Sequence, residues 1–375
     1  MTGDAAVVKI NGVGAIPSED VEPAARLTIE EVALAAHVSR STVSRVINNH
    51  PSVRPQVRER VEHVIAQLRY SPRAAARSLA SRRTQSVGLL IPRSAALIFS
   101  DPFFPHVIQG ITETCSRRGY FLMLSMVTAE REQDFYERVI AGHHVDGLMM
   151  LSSDVDDPIL PMLIRDSTPL VLVGRHPYLP HISSADVDNL GGARAAVRHL
   201  IELGHERIAT ITGPLYMAAA MDRRDGYKQA LAEARIPVRP ELIREADFTQ
   251  AGGHLAMSEL LRLDQPPTAV FTASDPMAVG AMRAIIEAGY SVPADISLVG
   301  FDDLPLSQML TPPLTTVHQP LYELGAAAAD LLLNRLEQHG DDVTMHTRLP
   351  THLVVRDSTA RPARAAAQRR KQLVD

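Results

Sequence analysis

The sequence predicts an N-terminal all-α module followed by a larger α/β region that contains two sheets. Between residues 28 and 68, apolar residues recur at three- and four-residue spacing, which is typical of amphipathic helices. Between residues 86 and 355, short apolar runs alternate with helical stretches, and this alternation predicts parallel sheets covered by helices on both faces. There are too many runs for one sheet, so two doubly wound subdomains are expected.

The helical module begins with a capping box, in which Thr28 and Glu31 are three residues apart. His37 lies in the tight turn that follows, Ser39 caps a second helix, and Pro55 marks the start of a third. Two short helices joined by a tight turn and braced by a third form a helix-turn-helix module. The outward residues of the second helix are Arg40, Ser41, Ser44 and Arg45.

Short or hydrogen-bonding side chains on that outer face are what a helix needs to read base edges in the DNA major groove. The alternative is a three-helix scaffold whose Ser/Arg face is only solvated. Charge favours the first interpretation, because residues 28–83 carry ten Arg and four Glu, a net +6, while residues 84–375 carry −9. A basic module on an acidic body suits a protein that contacts phosphates at one end.

Composition limits the class of protein further. Hydrophobic residues make up 45% of the chain and charged residues 22%, which is typical of a globular protein. No apolar run approaches the ~20 residues of a membrane helix, and the first residues lack the pattern of a signal peptide. Cys115 is the only cysteine, which excludes an intramolecular disulfide and a cysteine-based metal cluster. We therefore expect a cytoplasmic protein without a membrane partner.

The module and the segment after it resemble the LacI/GalR family of bacterial transcription regulators. The stretches that carry the resemblance are Thr28–Ala36, Val38–Val46, Arg58–Val61 and Tyr70–Leu79. The last stretch resembles the family's hinge helix, in which the residue matching Leu79 wedges into the minor groove of the operator. The resemblance implies DNA contacts by Thr28, Ser39, Arg40, Ser41, Thr42, Ser44, Arg45, Asn48, Tyr70, Arg73, Ala76 and Leu79.

Three residues depart from the family pattern. His37 occupies a turn position where glycine is usual, and a positive φ there would cost roughly 1 kcal/mol. Arg54 replaces the usual Ser or Thr cap of the third helix, and Arg69 replaces a C-terminal Gly or Asn. These changes predict a less stable module of the same kind.

The chain is expected to consist of five segments. These are a disordered leader (1–26), the helix-turn-helix domain (27–70), a hinge helix and linker (71–85), a two-lobed effector and dimerisation domain (86–358) and a flexible basic tail (359–375). Predicted strands are 86–91, 120–127, 145–151, 170–173, 207–212, 268–272, 296–301, 314–317 and 349–355. Predicted helices are 104–118, 130–141, 190–203, 224–234, 252–261, 276–288 and 321–338.

The resemblance implies that the α/β region is similar to a periplasmic sugar-binding protein, with two lobes and three chain crossings. We expect crossings near Ala185, Leu314 and Val343, with the helix from residue 321 returning to the first lobe. Ligands of such sheets bind outside the carboxyl ends of the strands, here between the lobes. The residues that match effector-binding positions of the family are Asp101, Phe103, Phe104, Arg223, Phe248 and Asp275.

Each of these residues also has a structural interpretation. Asp275 follows a strand and opens a helix, where an aspartate is often only an N-cap. Arg223 could form an ordinary surface ion pair, and Phe103, Phe104 and Phe248 could belong to the core. Asp101 stands in a Ser-Asp-Pro-Phe-Phe segment that resembles an Asn-Pro-Phe-Phe loop of the family.

The leading functional interpretation is a ligand-controlled transcription regulator, a repressor, that binds a palindromic operator as a homodimer. The expected effector is a sugar, and a purine or a phosphorylated sugar is an alternative. No metal-binding spacing, nucleotide-phosphate loop or catalytic motif is found, so no metal, cofactor or enzymatic activity is expected. A sugar-binding protein without a DNA role is the second interpretation, and a sugar-processing enzyme is the third.

Overall fold

The chain divides into two compact units, Met1–Ser81 and Arg82–Asp375. A computed structural model describes residues 27–47, 50–68, 70, 83–152, 154–337 and 343–362. Some of the predictions lie outside these described residues. They concern the leader, most of the hinge and linker, most of the tail, the Arg69 substitution, and the DNA contacts Asn48, Arg73, Ala76 and Leu79.

The first unit contains the helices Ile29–Ala35 (α1), Arg40–Ile47 (α2) and Pro55–Gln67 (α3). The capping box is present, because the Glu31 N–H donates to Thr28 Oγ1 over 3.4 Å and the Thr28 N–H donates to Glu31 Oε2 over 2.6 Å. His37 has a φ of 50°, so the turn adopts the left-handed conformation that glycine favours. The buried core consists of Val32, Ala33, Ala36, Val43, Val46, Val61 and Tyr70.

The second unit begins with a six-stranded parallel sheet. Its strands are Ser86–Ile91 (β1), Phe121–Met126 (β2), Gly147–Leu151 (β3), Leu170–Val173 (β4), Ser183–Val187 (β5) and His346–Leu349 (β11). Their order is β11-β5-β4-β3-β1-β2. In this register Leu89 of β1 is opposite Leu124 on one side and Met149 on the other.

Helices cover both faces of this sheet. The helical segments of the first lobe are Ala95–Ser100 (α4), Phe103–Arg117 (α5), Glu132–Phe135 (α6), which continues as a π-helix over Tyr136–Ile140, Ile159–Arg165 (α7) and Leu321–Glu337 (α13). Helices α5 and α13 bury one face together. Phe135, Ile140 and Leu163 pack on the opposite face.

A second six-stranded sheet follows. Its strands are Ile208–Thr212 (β6), Ile243–Glu245 (β7), Ala269–Thr272 (β8), Ser297–Asp302 (β9), Thr315–His318 (β10) and His352–Val354 (β12). Their order is β12-β10-β9-β8-β6-β7, and only β12 is antiparallel to its neighbour. The helices of this lobe are Asn189–Glu202 (α8), Ala218–Glu233 (α9), Gln250–Leu261 (α10), Asp275–Glu287 (α11) and Pro305–Met309 (α12).

The two lobes are therefore doubly wound, as predicted. Helices α8 and α9 pack on one face of the second sheet, and α10 and α11 pack on the other. The chain crosses between lobes at 187–189, 318–321 and 349–352. These crossings lie two to about nine residues beyond the predicted ones, and helix α13 returns to the first lobe as expected.

Several predicted elements need correction. The predicted strand 349–355 is two short strands, β11 and β12, which belong to different sheets. The predicted helix 130–141 is divided into a 3₁₀ turn, a short α-helix and a π-helix. The strands β5 and β7 and the helices α4, α7 and α12 were not predicted. No helix of the described residues is long and apolar enough to cross a membrane.

Candidate nucleic-acid interface and ligand cavity

The outer face of α2 presents polar side chains beside the turn that precedes it. Ser39 Oγ accepts the Thr42 N–H over 3.2 Å and lies 2.8 Å from Ser41 Oγ. Arg40, Ser41 and Arg45 are exposed, whereas Ser44 is partly buried. The side chain of Ser39 thus caps the helix and leaves two arginines and a serine facing solvent along α2.

Arg40 is held by a neighbouring carboxylate. Its guanidinium lies 3.2 Å from Glu30 at the start of α1, and both side chains are exposed. An exposed pair of this kind contributes little to stability, but it limits the directions in which Arg40 points. Thr28 is the N-cap of α1, where the capping box already uses the Thr28 and Glu31 N–H groups.

Tyr70, an expected DNA contact, is mostly buried. Its side chain is 8% exposed and belongs to the core of the three helices, and its N–H donates to the Ile65 carbonyl. The ring fills the core beyond the end of α3, so packing explains the aromatic residue, and a DNA contact by Tyr70 would have to come from the exposed edge of its side chain.

A cavity of about 310 Å³ lies between the two lobes of the second unit. It is at the carboxyl ends of strands of both sheets, which is the position expected for a ligand of open α/β sheets. Its lining includes five of the six residues expected from the sequence, Asp101, Phe103, Phe104, Arg223 and Phe248. Lining residues that were not predicted include Arg93, Arg175, Asp186, Asn189, Tyr216, Asp247, Ser274, Asp302 and Gln319.

Aromatic rings form two walls of the cavity. Phe103 and Phe104 meet edge to face, with ring centroids 5.3 Å apart. Phe248 has a φ of 65°, and a Cβ added to Gly213 would lie 2.0 Å from its ring. Glycine at 213 therefore leaves the space in which the Phe248 ring sits at the end of β6. Such rings offer apolar faces to a flat ligand.

Arg223 crosses the floor of the cavity. Its Nε donates to Asn189 Oδ1 over 2.9 Å, its Nη1 donates to the Ala273 carbonyl over 2.6 Å, and its guanidinium lies 3.8 Å from the centre of the Phe301 ring. Its side chain is 6% exposed, so the interpretation as an exposed surface pair is wrong. Asp302 is its nearest carboxylate, 3.6 Å away.

Asp275 was expected to face the ligand, but it does not line the cavity. Its side chain is completely buried, with one oxygen accepting from Thr316 Oγ1 over 2.5 Å and the other from the Leu304 N–H over 2.9 Å. Asp302 lines the cavity, and the Asp302 carboxylate accepts the Asp275 N–H. The interpretation of Asp275 as an N-cap is also wrong, because Ser274 is the N-cap of α11 and Asp275 is its first helical residue.

Burial changes the ionisation of these carboxyls. Loss of water raises the pKa of Asp275 to about 7 and the pKa of Asp186 to about 6. The pKa of Asp302 is also raised well above its usual value by burial, although the charge of Arg223 opposes the shift. Asp302 and Asp303 have φ of 121° and 59°, so backbone strain is concentrated at this edge of the cavity.

Each of the three arginines in the described lining has a carboxylate partner. Arg93 is paired with Asp154, Arg175 with Asp222, and Arg223 lies near Asp302. Asp101 lines the cavity from the first lobe, and its Oδ1 accepts the Phe103 N–H over 2.9 Å. The cavity therefore offers rings, paired arginines and carboxyl groups. Among the described residues, no group of three or more His, Cys, Asp or Glu could hold a metal ion.

Comparison with known proteins identifies the family. Residues 28–73 match the family described as bacterial regulatory proteins of the lacI family, and residues 197–359 match a periplasmic binding protein-like domain. The HTH-type transcriptional regulator CelR of Thermobifida fusca is 40% identical over 335 residues, which are 89% of this chain and 98% of the relative. The chain belongs to the LacI family.

Other members show the same likeness. The HTH-type transcriptional repressor PurR of Aliivibrio salmonicida (strain LFI1238) is 35% identical over 83% of this chain and 92% of its own. A solved CelR–cellobiose complex has a TM-score of 0.71 at 38% identity, covering 89% of this chain and all of the other. The lac repressor dimer bound to operator and the anti-inducer ONPF has a TM-score of 0.77 at 32% identity, covering 89% and 99%. This LacI-family chain is thus a transcriptional regulator with a DNA-binding unit and a ligand-binding fold.

Proposed function

We propose that this protein is a cytoplasmic repressor that binds a palindromic operator as a homodimer and is controlled by a neutral sugar bound between its lobes. One observation carries the proposal: the same LacI-family chain contains a helix-turn-helix unit and a cavity lined by aromatic rings. Each arginine of the described cavity lining lies next to a carboxylate. The DNA residues would be those on the outer face of α2, Arg40, Ser41 and Arg45, supported by the capped first turns of α1 and α2.

The charge of the cavity favours a neutral effector. A phosphorylated ligand needs an arginine or lysine cluster, whereas each arginine of the described lining faces Asp154, Asp222 or Asp302. Sugar hydroxyls can instead donate to carboxylates such as Asp101, while their apolar ring faces pack on Phe248 or Tyr216. The binding of cellobiose by the related CelR supports a sugar, and a purine against the same rings is the alternative.

The cavity also suggests how binding would control DNA affinity. A ligand that contacts both lobes favours the arrangement in which those contacts are made, and it shifts the population toward that state. In a homodimer, rotation of one lobe against the other would change the spacing of the two hinge segments that end at Leu79. The effect is bounded by the difference in ligand affinity between the two arrangements.

Selection of bound sites from random duplex DNA tests the DNA role. Purified full-length protein should enrich a two-fold palindrome of roughly 14–20 base pairs, since two recognition helices are spaced by one helical turn. Arg40→Ala should reduce affinity for the selected site more than for random DNA. Enrichment of no site, with and without pooled sugars and purines, would contradict a DNA-binding role and favour a solute-binding protein.

The selected duplex then serves as the probe for the effector. Cellobiose, glucose, ribose, glucose 6-phosphate and hypoxanthine should be titrated into the protein–DNA complex while DNA binding is measured by fluorescence anisotropy. We expect a neutral sugar to change operator affinity. A response only to hypoxanthine or to glucose 6-phosphate would refute the neutral sugar and leave the regulator proposal intact.

A further inference from the structure

Asp186 lines the cavity, and only one of its two carboxylate oxygens accepts hydrogen bonds from the residues that the structure describes. Its Oδ1 accepts the Val187 N–H over 2.8 Å and the Asn189 Nδ2–H over 3.1 Å. Its Oδ2 accepts no hydrogen bond from the residues that the structure describes. Asp186 lines the cavity, although the residue is only 8% exposed.

The Oδ1 atom of Asp186 holds the carboxylate in place through a chain of hydrogen bonds across the floor of the cavity. Asn189 donates to Asp186 and accepts from Arg223 Nε, and Arg223 approaches Asp302, to which Gln319 also donates. Asp186 and Asn189 flank the first crossing between the lobes, and Gln319 lies in the second. The position of Asp186 Oδ2 is therefore fixed by residues of both lobes.

Asp186 Oδ2 is not one of the fully buried, unpartnered oxygens of the described residues, so a group that binds in the cavity takes the place of solvent beside it. A group without a donor would leave this oxygen desolvated and unpaired, which is unfavourable, whereas a donor restores the hydrogen bond. Burial raises the pKa of Asp186 and Asp222 raises it further, while the Val187 N–H and the charges of Arg175 and Arg223 lower it, so the carboxylate already has cationic neighbours. A neutral group that donates a hydrogen bond fits this position better than a second anion.

We propose that Asp186 is a specificity-determining residue of the effector site, and that its Oδ2 accepts a hydrogen bond from a hydroxyl group of a neutral sugar. The inference rests on the proposed function and extends it, because Asp186 lies in strand β5, outside the residues that the family resemblance assigned to the ligand. Asn189 acts through Asp186 and Arg223 as a positioning residue.

Asp186→Asn tests this assignment with little change in volume. The amide oxygen must remain at the Oδ1 position to accept from Val187 and Asn189, so the new NH₂ points into the cavity. A sugar hydroxyl then loses its anionic acceptor, and we expect cellobiose to bind about tenfold or more weakly, as for loss of a hydrogen bond to a charged group. Asp166→Asn, at an exposed aspartate after α7 in the same lobe, is the matched control and should bind like the wild type.

Isothermal titration of the full-length proteins with cellobiose, glucose and ribose gives the affinities, and thermal unfolding and operator binding without sugar show that each variant is folded. Weaker sugar binding by Asp186→Asn, with normal operator binding, supports the assignment. Equal affinity of the variant and the wild type would overturn it while leaving the sugar-controlled regulator intact. Binding of none of these sugars by a wild type that binds its operator would overturn both the assignment and the neutral sugar.

Discussion

Burial raises the pKa of Asp186 to about 6 and that of Asp275 to about 7, yet the two side chains have different surroundings. Both oxygens of Asp275 accept hydrogen bonds inside the protein, from Thr316 and Leu304, and the residue is completely buried outside the cavity lining. Asp186 lines the cavity, and its Oδ2 accepts no hydrogen bond from the described residues. Of these two residues the family resemblance pointed only to Asp275, which follows an apolar strand, whereas Asp186 in Ser-Ser-Ala-Asp-Val matched no effector position of the family.

The ionisation of Asp186 gives a prediction for the pH dependence of effector binding. The carboxylate form is the acceptor, and it is protonated as the pH falls through its pKa of about 6. Affinity should therefore be constant above pH 7 and about tenfold lower at pH 5. Titrations of cellobiose into wild-type protein between pH 5 and pH 8 would measure this. In Asp186→Asn the loss of cellobiose affinity at low pH should be smaller, because only other groups such as Asp101 and Asp302 still titrate. A loss of affinity identical to that of the wild type would contradict the role of Asp186.

His37 gives a second prediction at this scale. Its φ of 50° is costly for a residue with a Cβ, so His37→Gly should stabilise the helix-turn-helix unit by about 1 kcal/mol. Amide hydrogen exchange of α1 and α2 in the full-length protein should slow about fivefold. His63→Gly, in the middle of helix α3, is the opposite control and should cost about 0.5 kcal/mol. Faster exchange in His37→Gly would show that the turn is not strained.

At the scale of elements, the sequence predicted those strands whose own composition determines their structure. Leu170–Val173 is a continuous apolar run and was located to the residue, since a buried parallel strand needs little else. Ser183–Val187 was missed because its strand character comes from the neighbours β4 and β11, not from its own composition. The split between β11 and β12 depends in the same way on which sheet each segment reaches.

Two glycines show how closely elements approach. A Cβ added to Gly110 on α5 would lie 2.0 Å from the Tyr322 carbonyl oxygen, and one added to Gly325 on α13 would lie 2.1 Å from the Val107 carbonyl oxygen. Both contacts are with backbone, which cannot rotate away. The pair α5–α13 therefore requires glycine on both helices where they cross.

Gly110→Ala should separate these helices and destabilise the first lobe by about 1–3 kcal/mol, despite the better helix propensity of alanine. The measurement is thermal unfolding of the full-length protein, where a lower midpoint is expected. Thr112→Ala on the exposed side of α5 is the control and should change the midpoint little. A Gly110→Ala variant as stable as the wild type would show that the helices move apart without cost.

At the scale of the whole second unit, the lobes are joined by more than their three crossings. Arg175 follows β4 in the first lobe and is paired with Asp222 on α9 of the second. The Val155 N–H of the first lobe donates to the Tyr216 carbonyl of the second over 2.8 Å. These contacts exist only while the lobes remain close, so they favour the arrangement in which the cavity is enclosed.

Removing the ion pair should therefore shift the population toward separated lobes. Arg175→Met and Asp222→Asn should each raise the cellobiose concentration needed for the operator response about three- to tenfold, because apparent affinity falls with the fraction of the competent state. Since both variants break one interaction, the double variant should lose little more than either single one. Small-angle scattering without ligand should show a larger radius of gyration. Arg194→Met is the control, because it breaks the Arg194–Glu233 pair within the second lobe, and it should leave both measurements unchanged. Additive losses in the Arg175→Met, Asp222→Asn double variant would show that the two residues act separately and do not join the lobes.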